Sequence, residues 1–218
     1  MASRTRLPDA ETLELYRVAL FNATTNKTIA DTLSELGFDQ GVINEGKTKL
    51  SEARSAFDLN NIKDDERAAA YQDFTQLREK VQDTYSLHRK KAKVIFRKNA
   101  IALDQLALTG SLSKSYIIWL ETVKKFYITA QNAQELSTEL HRLKVTETDI
   151  NETLIKVSQL EAARSNYLQK KGESQQATQT KNSAIANIDD WMSEFYAIAK
   201  IALADRPQLL EALGKVVR

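Results

Sequence analysis

A chain of 218 residues, 42% of them hydrophobic, is long enough to bury a core without covalent staples. The absence of cysteine excludes a disulfide framework, a thiolate nucleophile and cysteine-ligated zinc. Thirty-one basic against twenty-nine acidic residues leave a net charge of +2, shared at about +1 per half, which argues against a global field of the kind that coats nucleic acid.

No stretch approaches the roughly 18 to 20 consecutive apolar residues of a membrane span. The charged opening Met1 to Arg6 has no apolar signal core behind it. A soluble, cytoplasmic protein without a membrane partner is therefore expected, as a monomer or homodimer. Few glycines and prolines amid abundant Ala, Leu, Glu, Gln and Lys favour helix throughout.

In chain order, the residues before Pro8 are expected to be loose. Pro8 and Asp9, with Glu11 behind them, open a first helix reaching about Leu36. Its apolar face is Leu13, Tyr16, Leu20, Ala23, Ile29, Leu33 and Leu36. Gly37 ends it and Asp39 caps the next helix, which carries Val42, Ile43, Leu50, Ala53 and Phe57. The polar stretch 58–66, with Asn60-Asn61, is read as a turn; the rival is one continuous helix of about 60 residues, roughly 90 Å long. A third helical region runs from Tyr71 to about Leu108, and Gly110 stops it.

The chain then repeats itself. Ile43-Asn44-Glu45 returns as Ile150-Asn151-Glu152, and the same offset of 107 positions carries Leu33 and Leu36 onto Leu140 and Leu143, and Ala92-Lys93 onto Ala199-Lys200. Ser111 or Ser113 opens the second copy, whose first helix contains Ile117, Leu120, Phe126 and Leu136. Thr146 with Asp149 three residues on is a capping-box pattern at the point equivalent to Asp39. A compensated three-residue slip would align Ala53-Arg54-Ser55 with Ala163-Arg164-Ser165. Residues 169–181, with Gly172, are read as the second polar turn. Asp205 to Gln208 begins a short helix closed by Gly214, and Val216 to Arg218 trails as a tail.

The fold expected is all-α: an antiparallel helical bundle of six principal helices, built from two internally duplicated, pseudo-twofold-related units, 1–110 and 111–218, that pack together. Such a unit is similar to spectrin-type repeats in length and helix count alone. Gly110-Ser111 interrupts the connecting helix of those repeats and the tryptophans are not at equivalent positions, so their function is not carried over.

Candidate chemistry is sparse. A ferritin-like di-metal site needs Glu-x-x-His pairs, but Tyr85 precedes His88 and Thr138 precedes His141, so both histidines are read as surface or helix-end residues. No nucleophile elbow, phosphate loop or dinucleotide fingerprint is present, and no catalytic residue, metal or cofactor is assigned. Asp64-Asp65-Glu66 and Asp189-Asp190 are read as solvated faces or caps. Trp119 and Trp191 are read as core anchors, and Tyr116 to Leu120 as a centrally buried helix or, second, a subunit interface.

The one local signal is Arg89, Lys90, Lys91, Lys93, Arg97 and Lys98, six cations with no acid between Asp83 and Asp104. Lys90, Lys93 and Arg97 share a helical face opposite Ala92, Ile95 and Phe96. Three functions follow as expectations: a non-catalytic scaffold with a protein partner, a nucleic-acid or polyanion binder using this run, or an enzyme with a site between the halves.

Overall fold

The computed structural model describes residues 7–215, and the expectations for the first six residues and for the tail lie outside them. The described residues form eight helices and no strand: α1 (Asp9–Thr25), α2 (Lys27–Glu35), α3 (Gln40–Ile95), α4 (Ala100–Gln105), α5 (Tyr116–Asn132), α6 (Gln134–His141), α7 (Glu147–Ala202) and α8 (Leu209–Ala212). The all-helical class stands, and none of these helices is long and apolar enough to cross a membrane.

Three boundaries differ from the sequence reading, each for a local reason. The expected helix to Leu36 breaks at Asn26. Its backbone N–H closes α1 on the Asn22 carbonyl while its side chain accepts from Ile29 N–H at 3.3 Å to start α2, using asparagine's preference for the N-cap. Between α5 and α6 the chain breaks at Ala133 in the same extended conformation without a side-chain cap. The third region ends at Ile95, not Leu108, because the Asn99 side chain accepts from Ala102 N–H at 3.0 Å and starts α4.

The largest correction concerns the polar stretches read as turns at 58–66 and 169–181. Both are helical, and α3 and α7 each run unbroken for 56 residues. The polar residues there serve contacts between helices. Buried Asn60 donates to Thr178 Oγ1 at 3.2 Å, buried Ser174 donates to Asp64 at 2.6 Å, and Lys63 pairs with Glu173 at 3.0 Å. Lys170 pairs with Glu66 at 2.8 Å. Asp64 and Glu66 are thus helix-to-helix acceptors and not a solvated cluster. Gly172 has open space around it and breaks nothing. These long helices lie within the sequence halves, unlike the spectrin-type connecting helix, and their bounds match at the offset of 107.

The chain divides into two compact units that differ from the sequence halves. The first comprises residues 1–65 and 171–218. Its core holds Leu13, Leu20, Ile29, Leu33 and Ile43 with Ile188, Met192, Phe195, Ala199 and Leu213. Gly46 lies directly beneath the Trp191 ring, where an added Cβ would stand 2.6 Å from Cζ3. The second unit is residues 66–170. Val81, Tyr85 and Ala92 of α3, with Phe96 just beyond its end, pack with Trp119, Val123, Phe126 and Tyr127 of α5 and with Ile150, Val157 and Leu160 of α7. Trp119 is buried as expected, but the helix carrying it is not central: Ile117 and Ile118 are 63% and 59% exposed.

Backbone geometry recurs where residue type does not. Gly37 and Lys144 both take positive φ, 85° and 56°, as do Ala107 and Gly214, 51° and 77°. Each closes a helix with the same paired bonds: Phe38 N–H to Leu33, Val145 N–H to Leu140, Leu108 N–H to Leu103 and Lys215 N–H to Leu210. A left-handed alanine costs about 1 to 2 kcal/mol, partly offset by glycine's greater chain entropy. Ala107→Gly is therefore expected to raise stability by about 0.5 to 1 kcal/mol, read as a higher urea midpoint at unchanged slope.

Candidate functional site

The six cations of the basic run do not share one role. Arg89 is half-buried and its Nη2 donates to the Leu108 carbonyl at 3.1 Å and the Gly110 carbonyl at 2.9 Å. It clamps the segment after α4 and presents no open guanidinium to a ligand. Lys91 is likewise half-buried, its ammonium donating to the Lys144 carbonyl at 3.3 Å. Lys90, Arg97 and Lys98 are exposed, and Lys93 is half-exposed in the last turn of α3, where a cation complements the helix dipole. Ala92 and Phe96 are buried, as the spacing predicted, but Ile95, expected on the face opposite the cations, is half-buried and lines a cleft with Arg97 and Lys98.

This division gives a direct check. Arg89→Ala removes two charge-assisted bonds, tempered by partial exposure, and is expected to cost about 1 to 2 kcal/mol. Lys90→Ala is expected to stay within about 0.5 kcal/mol, both read by urea titration. A charge reversal meant to probe binding must therefore spare Arg89.

The structure adds residues that sequence reasoning missed. The turn between α6 and α7 places Arg142 beside the end of α3. Val94, Ile95, Arg97, Lys98, Arg142 and Leu143 line a cleft of about 440 Å³. Arg142 is exposed and pairs with Glu139 at 2.6 Å. Arg142 lies 44 or more positions from the basic run, and only the packing of the second unit joins them. The cleft offers fixed cations and aliphatic walls; it holds no nucleophile and no acid–base pair.

A second polar cluster lies inside the same unit. His88, read from sequence as a surface or helix-end residue, is 5% exposed. Its Nδ1 lies 2.9 Å from the Tyr127 hydroxyl. Burial holds the imidazole below its ordinary pKa, with Asp149 opposing and Lys91 assisting more weakly. Burial also pushes the Tyr127 phenol well above its usual range, against a hydrogen bond with Thr153. Thr153 itself is buried and donates to the Asp149 carbonyl at 2.7 Å. The spacing Val81, Tyr85, His88, Ala92 did place His88 on the buried stripe, which is the signal that could have located it. His141 does sit at a helix end, where Nε2 accepts from Glu147 N–H at 2.9 Å. Asp189 is half-buried and accepts from the Tyr16 hydroxyl at 2.9 Å, a structural contact in the first unit.

Among the described residues no group of three or more His, Asp or Glu converges as a metal cage. Comparison with known protein families, with curated proteins and with solved structures finds no match. What the fold defines is an all-helical protein, and what the site defines is a cationic cleft with aliphatic walls.

Proposed function

We propose that the chain is a non-catalytic helical interaction scaffold, made by duplication of one unit and adapted by changes at its surface. The observation that carries this reading is that contacts recur in register while their chemistry changes. α1 begins at 9 and α5 at 116, α3 spans 40–95 and α7 spans 147–202, each pair 107 positions apart. In the first unit Asn22 donates to the Ala212 carbonyl; in the second, Thr129 donates to the Gln105 carbonyl, both partners shifted by the same 107. The ion pair Lys181–Asp9, at 2.8 Å, falls in register with the aromatic pair Phe74–Tyr116, and the bond Asn60–Thr178 with the ring pair Tyr71–Tyr167. A frame that tolerates such exchanges inside can vary its outside freely, which suits a protein that presents surfaces to partners.

The test is capture of the tagged full-length chain from its native lysate, with and without nuclease, followed by mass spectrometry. A stoichiometric protein that survives nuclease supports the scaffold; recovery of the bare chain counts against it. A second reading, nucleic-acid binding, is favoured by the gathering of Arg97 and Lys98 with Arg142, next in sequence to Lys90 and Lys93 on the end of α3. Under it, nucleic acid co-purifies at low salt, affinity falls by about 0.9 log unit per log unit of salt for each phosphate contacted, and reversing Lys90, Lys93 and Arg97 to glutamate abolishes binding.

A further inference from the structure

Aliphatic side chains stand in water among the cations at the end of α3. Val94 is 61% exposed, and Leu143, which lines the cleft with it, 38%. We propose that this cleft docks an acidic, aliphatic segment of a partner protein. The segment's carboxylates pair with Arg97, Lys98 and Arg142 while one of its aliphatic side chains enters against Val94, Ile95 and Leu143. The inference rests on the scaffold reading and names the chemistry of its partner.

Three observations choose this occupant. The first is charge: arginine's planar fork suits a carboxylate, and neither Arg97 nor Lys98 has an ion-pair partner shown among the described residues, whereas Arg142 has only the exchangeable surface pair with Glu139. The second is the wall. Nonspecific single-strand binding uses aromatic platforms on which bases stack, and this cleft is lined by aliphatic carbons with no aromatic ring.

The third is the register of 107. The positions equivalent to Val94 and Leu143 are Ile201 and Leu36, again aliphatic and again exposed, at 65% and 44%. Those equivalent to Lys90, Arg97, Lys98 and Arg142 are Ala197, Ala204, Asp205 and Glu35. Lys93 keeps its charge, as Lys200, but the helical frame has no need of the cations that line the cleft. The apolar pair is common to both copies, and charge distinguishes one from the other, which is how electrostatics confers choice of partner upon a shared apolar contact.

The experiment measures binding of the full chain to a fluorescein-labelled peptide of about fifteen residues rich in Glu and containing leucines, by fluorescence anisotropy. A counterpart with serine for each leucine, a single-stranded DNA of equal length and vesicles containing phosphatidylserine serve as competitors. The leucine peptide should bind at least about tenfold tighter than its serine counterpart. Val94→Ser should remove that advantage without changing affinity for the serine peptide. Arg97→Glu with Arg142→Glu, and separately Lys98→Glu, should each weaken the leucine peptide by about tenfold or more. All four positions are exposed, and circular dichroism confirms that the variants fold.

Equal binding of the two peptides overturns the proposal, as does DNA or vesicle binding that outcompetes the leucine peptide, or no peptide binding at all. The two readings fail separately: recovery of the bare chain from lysate counts against the scaffold, whereas if the Arg97→Glu, Arg142→Glu chain still captures the partner of the unaltered chain, the scaffold stands and this site falls.

Discussion

Gly46→Ala is expected to destabilise the first unit by about 2 to 3 kcal/mol, although alanine is the better helix former by about 1 kcal/mol. The cause is contact. A Cβ at residue 46 would meet Cζ3 and Cζ2 of Trp191 at 2.6 and 2.7 Å, distances real methyl groups do not adopt. Trp191 has little freedom to retreat, because its ring stacks on Phe195 at 5.6 Å with 11° between planes and tilts against Phe38 at 5.8 Å. Overpacking of this kind forces side chains off their rotamers or moves backbone. Chemical denaturation of Gly46→Ala, of Trp191→Leu and of the double variant checks it. Trp191→Leu alone loses packing, but the double variant should be more stable than the two single costs predict, since the smaller side chain makes room for the methyl. Additive costs would show that residue 46 and the ring do not touch.

Stability should also fall as the pH drops from 7 to 5, and less steeply in His88→Phe than in the unaltered chain. Burial keeps the folded imidazole below its ordinary value of 6.5, so the unfolded chain takes up a proton where the folded chain does not. The stability held by neutral His88 is therefore complete above about pH 6.5. It is lost on acidification down through the lower folded value, at no more than about 1.4 kcal/mol per pH unit. The Asp149 carboxylate, held low by its bonds from Thr146, titrates below this window and does not confuse it. At pH 7.5, Tyr127→Phe leaves the Nδ1 side of a buried ring without its partner, at a cost of about 1 to 3 kcal/mol. His88→Phe combined with Tyr127→Phe should cost less than the sum of the two, because the orphan is removed with its partner. At an offset of 107 positions, Phe195 and Leu20 are both buried and apolar. Identical pH slopes for His88→Phe and the unaltered chain would mean that the imidazole is solvated.

Much of the helical frame was legible because it is written locally. Asp39 caps α3 by accepting from Gly41 and Val42 N–H, and Thr146 and Asp149 exchange the bonds of a capping box. Gly37 takes the positive φ that closes α2 where the first helix was expected to end, whereas α4 is closed at Ala107, before Gly110. The break at Asn26 was hidden because Leu20, Ala23, Ile29 and Leu33 all face the same core on either side of it, so the apolar period carries across. The polar middles of α3 and α7 failed for a different reason. Asn60, Asp64 and Ser174 look like turn residues until a second helix supplies their hydrogen-bond partners, and that partner lies more than a hundred positions away. The same blindness applied to the candidate site. A run of cations is visible in sequence, but whether one of them is a clamp, as Arg89 is, or an open charge beside Arg142, depends on where Leu108, Gly110 and the α6–α7 turn come to rest.

The way the two compact units draw on the chain bears on how the protein is made. Residues 66–170 form a contiguous segment with its own core, whereas the first unit joins residues 1–65 to a segment that starts only at 171. A chain emerging from the ribosome can therefore close the second unit while Leu13, Leu20, Ile29 and Leu33 still lack Ile188, Met192, Phe195 and Leu213. At roughly 5 to 20 residues per second, those early apolar faces wait on the order of ten seconds or more for their counterparts. The N-terminal helices are thus the stretch most exposed to misassociation during synthesis. A cut at Gly110 would leave each fragment holding parts of both units and the whole of neither.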